Sequence, residues 1–188
     1  IAQLEEILAG KVHVAKLVSQ PRNYVKLSLG ADVWYFDQRS QFDDLLDLLR
    51  AIQVSYIHFH HLFGYLANFW QLPNKLHLPH SLTVHDYSLI NGSTTLNDRE
   101  GYYLQGFSRQ NSPSLSQLPS WCADLQHWQK MSAALLESAE QVFYPSEFTG
   151  EVFRADYLRA NYRHCYHPDW EFDAPYPPVK LVDARRSK

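Results

Sequence analysis

Apolar positions along the chain change period several times, and each change marks an element. Over IAQLEEILAG, Ile1, Leu4, Ile7 and Leu8 recur at helical spacing, and Gly10 suits the position just past a helix end. KVHVAKLV and YVKLSLGADVWYFD read as two strands around SQPRN, a turn rich in breakers. FDDLLDLLRAI returns to helical spacing through Phe42, Leu45, Leu46, Leu48 and Leu49. VSYIHFH follows as a buried strand, and LFGYLANFWQL as a helix stopped by Pro73. HSLTVHDY is the next strand, with a long polar stretch from Ser88 to Ser120 behind it. A helix from about Cys122 carries Leu125, Trp128, Met131, Leu135, Leu136 and Ala139 on one face. QVFYP is a strand, SEFTGEVFRADYL a helix with Ser146 as N-cap, and NYRHCYHP a last strand.

Strands alternating with helices over short joins predict an α/β fold with a mainly parallel sheet and flanking helices. Residues 1–170 read as one domain, and the charged, proline-bearing segment 171–188 as a linker or tail. The chain opens on Ile1, directly at a helix, and so reads as part of a longer protein.

Composition narrows the picture. The chain has 188 residues, 45% of them hydrophobic and 20% charged, which is globular material able to bury a core. A net charge of −3 supplies no basic footprint for nucleic acid. No apolar run has the length of a membrane span and no signal peptide is visible, so any membrane contact is expected to be peripheral. Cys122 and Cys165 lack zinc-site spacing and are too few for a disulfide scaffold. They read as reduced thiols of a cytoplasmic protein.

The candidate chemistry lies in the histidines. IHFHHLFGY holds His58, His60 and His61, and SLTVHDYSL adds His85 and Asp86. In parallel sheets ligands gather at the carboxyl ends of strands. His60 and His61 end one predicted strand, and His85 and Asp86 the next. Strand alternation puts Tyr56, His58 and His60 on one face and Ile57, Phe59 and His61 on the other. The three histidines of the first strand therefore do not converge on one metal. His60, His85 and Asp86 have suitable chemistry for zinc, but neither H-E-x-x-H nor a cysteine pair accompanies them. The expectation is no metal and no cofactor.

IHFHHLFGYL, LPHSLTVHDYSLING and LLESAEQVFYPSEFTGEVF, in that order, with His167-Pro168-Asp169 beyond them, resemble the N-terminal half of a retaining glycosyltransferase of family 4. The resemblance spans roughly residues 1–185 and implies a Rossmann-like domain, one half of a GT-B fold. It implies transfer of a sugar from a nucleotide-sugar donor to a glycan or lipid-linked acceptor in polysaccharide biosynthesis, commonly without a metal. The nucleotide is held mainly by a second domain, so this half alone is expected to be inactive. The sequence is expected to start just after the place of the family's first strand and Gly-rich loop, and Ile90-Asn91-Gly92 stand where many members carry Cys-Pro.

By that resemblance His85 acts beside the transferring sugar, with Asp86 orienting an acceptor hydroxyl. As plain structure, His85 closes a strand and Asp86 caps a turn. His60 and His61 are rim residues, one lining the cleft and one packing beneath it. His58, deeper in the strand, reads as a hydrogen-bonded buried histidine. Tyr87 lines the acceptor side or fills space. Ser146 caps its helix, whose N-terminus also suits a phosphate. Arg99 and Arg109, in an aromatic-bearing segment from Asn91 to Ser120, suit a phosphate or sugar acceptor, against the default reading of that segment as a plain surface loop. His13, His77, His80, His127 and His164 read as surface or packing residues. Two other readings stay open: a metal-dependent hydrolase built on the histidines, and a non-catalytic α/β scaffold.

Overall fold

The computed structural model describes residues 10–96 and 118–165. The helix expected over the first residues, Arg99, Arg109, His167-Pro168-Asp169 and the 171–188 tail lie outside the described residues. Within them the protein is mixed α/β, with a three-stranded antiparallel sheet followed by a four-stranded parallel one.

The antiparallel sheet is a meander of β1 (Ala15–Gln20), β2 (Tyr24–Leu29) and β3 (Asp32–Asp37). The sequence reading merged the last two into one strand. Gly30 breaks them: its φ of +57° lets the chain reverse, and Leu29 then pairs with Asp32. Arg22 and Asn23 make the other turn with left-handed backbone. Val25, Leu27 and Phe36 point inward from this sheet and are buried, while Lys26 and Tyr35 alternate outward.

Helix α1 (Phe42–Ala51) buries Leu45, Leu46 and Leu49 against the same core, and Asp43 and Asp44 sit favourably in its first turn. The parallel sheet follows, in the order β4 (Ile57–Phe59), β5 (His80–Thr83), β6 (Gln141–Tyr144), β7 (Tyr162–His164). Its registers run Phe59 to Leu82 to Val142 to Tyr162, so one sheet face presents Phe59, Leu82 and Val142 to the core. The expected parallel sheet is present, and β4 and β5 are neighbours, as the histidine argument requires.

Between β4 and β5 the expected helix is replaced by a 3-10 turn (Ala67–Gln71) and a short helix α2 (Leu72–Leu76). Pro73 starts α2 instead of ending a helix, because a proline in the first turn gives up an N–H that has no intrahelical acceptor anyway. The stretch after β5 is also not simply polar. Helix α3 (Ser88–Asn91) buries Leu89, Ile90 and Asn91. The carbonyl of Leu89 accepts from Tyr157 Oη at 2.7 Å and that of Ser88 from Trp128 Nε1 at 2.7 Å. Helix α4 (Leu125–Glu137) is capped by Asp124, which accepts from His127 N. Helix α5 (Glu147–Asp156) is capped by Ser146 as expected. No helix among the described residues is long and apolar enough to cross a membrane.

One buried polar side chain ties the two sheets together. Gln38 is 1% exposed. Its Nε2 donates to Gly64 O at 3.0 Å, and its Oε1 accepts from Leu66 N at 3.0 Å. Ser19 Oγ donates to the same Gly64 carbonyl at 2.7 Å, and Tyr65 Oη to Leu17 O at 2.8 Å. The segment directly after His60 and His61 is thus pinned by the antiparallel sheet.

Candidate functional site

The histidines are assembled by the pairing of β4 with β5. His58 stands opposite Ser81 in the register. Its Nδ1 lies 2.6 Å from Ser81 Oγ and its Nε2 3.0 Å from Thr83 Oγ1. Both ring nitrogens are therefore partnered, matching the reading of His58 as a satisfied histidine. Sequence reasoning passed over the two hydroxyls. The signal was present in HSLTVHD, where strand alternation puts Ser81, Thr83 and His85 on one face.

Beyond the strand ends the imidazoles form a continuous group. His60 meets His58 edge-on, with ring centroids 4.6 Å apart. Its Nδ1 lies 3.2 Å from His85 Nε2, and the two rings are nearly parallel. His61 stacks toward His85 from 6.3 Å, and its Nε2 lies 3.5 Å from Asp86 Oδ2. The expected split of His60 and His61 across two faces is corrected here. Alternation holds only while the chain is a strand, and β4 ends at Phe59. The chain then turns toward the anchored Gly64, so both histidines come to His85.

Burial sets the charge state of the inner members. His58 is held down to about 4, first by loss of solvation and then by the nearby His85. His60 is also held down to about 4, by burial first and then by its neighbours His58 and His61. Both rings are neutral at pH 7. A hydrogen bond between His60 and His85 then needs one nitrogen as N–H donor and the other as lone-pair acceptor. His60 Nε2 is buried without a hydrogen-bond partner, which further disfavours a charged His60 ring.

Asp86 is engaged at once in a local turn and in the cluster. Its Oδ1 accepts from Ser88 N at 2.9 Å, starting α3, while Oδ2 faces His61. Tyr87 turns toward α5: its ring stacks on Phe153, and its hydroxyl lies 3.5 Å from Thr149 Oγ1. Ser146 Oγ accepts from Thr149 N at 3.3 Å and lies 2.9 Å from Thr149 Oγ1. A chain of hydroxyls thus connects the α5 N-cap to the HDY segment. His164, read as a packing residue, stacks on Tyr144 and pairs with Glu147 at 2.8 Å.

The space enclosed by Phe59, His60, His61, Thr83, His85 and Asp86 is about 20 Å³. That holds roughly one water and no sugar ring, so a larger substrate must lie outside the group and touch its rim. Among the described residues the four parallel strands run in consecutive order, and no strand-order reversal of the kind that opens a crevice in doubly wound sheets falls within them. Among the described residues no three His, Cys, Asp or Glu side chains are disposed to hold a metal ion. The arrangement suits proton exchange and hydrogen bonding at the sheet's carboxyl edge.

No protein-family model, no curated protein and no solved structure matches this chain.

Proposed function

We propose that this chain is the acceptor-side, Rossmann-like half of a retaining glycosyltransferase. Its donor is a nucleotide-sugar and its acceptor a glycan or lipid-linked glycan of polysaccharide synthesis. The observation that carries the reading is the convergence of His60, His61, His85 and Asp86 at the carboxyl ends of adjacent parallel strands. His85 is the member to which the others lead. His60 contacts it at one nitrogen, and His61 and Asp86 sit beside it. A neutral His60 bonded to His85 fixes which His85 nitrogen faces the group, and an imidazole so oriented at the strand edge suits hydrogen bonding to a substrate hydroxyl or stabilising charge that develops as the sugar is transferred. Asp86 holds the turn behind it. On this reading the protein works at a cytoplasmic membrane face, where the acceptor is built.

The test is transfer by the full-length protein from labelled UDP- and GDP-sugars to glycan and lipid-linked acceptors. Product with the donor's anomeric configuration supports the reading. Hydrolysis of unrelated esters or amides with stoichiometric bound zinc sinks it in favour of the hydrolase.

A further inference from the structure

A second concave site lies at the other end of the parallel sheet, away from the histidine group. It is a cleft of about 200 Å³ between the Trp70–Asn74 segment and α4. Trp70, Pro73, Met131, Ala134 and Leu135 supply apolar walls, and His80 joins the lining where β5 begins. Three features define what would fit. The volume exceeds an engineered cavity of roughly 150 Å³ that accepts benzene, so one or two small rings can enter. None of the lining residues is Asp, Glu, Lys or Arg, so nothing there offsets a full ligand charge.

The third feature is His80. It is 3% exposed. Its Nε2 lies 3.0 Å from Leu135 O, and a carbonyl only accepts, so Nε2 is the donor. In the neutral ring Nδ1 then carries the lone pair, and no described residue donates to it. A buried imidazole at a largely apolar cleft, with one nitrogen fixed as donor, offers a directional acceptor alongside the polar side chains of Gln71, Asn74 and Ser138 in the lining. This is the common form of a small-molecule site, in which a few polar groups orient a largely apolar ligand. We propose that the cleft binds a small, uncharged, one- or two-ring molecule through an O–H or N–H that donates to His80 Nδ1. The site is independent of the glycosyltransferase reading.

The probes are p-cresol and toluene, which share a ring and a methyl group and differ by the hydroxyl. NMR titration at about pH 8, where a free imidazole is neutral, follows the Leu135 amide and the His80 ring nitrogens. The proposal expects saturable p-cresol binding about tenfold tighter than toluene, the worth of one hydrogen bond, with a shift at His80 Nδ1. Ala134→Trp and Ser138→Trp, both at exposed positions of the cleft, should each abolish it without loss of folding. Equal binding of the two probes overturns the role of His80. Binding that survives both tryptophan variants, or no saturation up to the solubility of p-cresol, overturns the site.

Discussion

Two histidines of one polar face differ in how the sheet holds them. His58 has both nitrogens taken by Ser81 and Thr83 inside the sheet. Replacing it by Ala leaves a cavity and two hydroxyls without their partner. A loss of about 2–4 kcal/mol in urea unfolding is expected, with an unchanged m-value. His58 and His60 also make stability depend on pH. Their folded values lie near 4, below the ordinary 6.5, so the unfolded chain binds protons that the folded one rejects. Their contribution is complete above about pH 6.5 and drains away as pH falls toward 4. Thermal unfolding near pH 5 should therefore take up as many as ~2 protons per chain, a number that falls by about one in His58→Asn. Proton uptake unchanged by that substitution would contradict the assignment. These roles were legible in part, since the alternation of HSLTVHD and the depth of His58 are both in the sequence. The meeting of the two groups at the strand ends was legible too, but the arrival of both His60 and His61 at His85 was not, because it depends on where β4 ends.

At the scale of elements, periodicity located α1, α4, α5 and the four parallel strands. It failed where local geometry or distant partners decide. Gly30 turned one expected strand into a hairpin, and Pro73 opened a helix that it was expected to close. The buried residues of α3 hid within a run of small polar residues. The clamp by Gln38 on Gly64 and Leu66 spans 26 and 28 residues and has no local signature. Its effect is testable. Gln38→Leu removes the acceptor for Leu66 N and a donor to Gly64 O in a buried position, which should cost about 2 kcal/mol. Because that segment follows the histidines, the ring resonances of His60 and His61 should shift as well. Lost stability with unmoved histidine resonances would mean that the clamp serves the sheets alone. Gly64→Ala should be similarly costly, since its φ of +84° is left-handed and an added Cβ would lie 2.6 Å from Ser19 Oγ.

For the molecule as a whole, the mixed α/β architecture and the adjacency of β4 and β5 follow from the pattern of elements. The separation of the antiparallel meander from the parallel sheet does not, because strands of both kinds carry similar apolar runs. Placing chemistry at the carboxyl edge rests on His85 being the working member of a group whose other members position or solvate it. The most direct test compares kcat/KM for sugar transfer by the full-length protein and by His85→Ala, with Tm measured on the same samples. His85 lies beyond the end of β5 and outside the core cluster, so Tm should change little. Transfer should fall by roughly a hundredfold or more, the scale of losing a placed proton or charge partner. Near-normal transfer by His85→Ala, at unchanged Tm, would contradict the account.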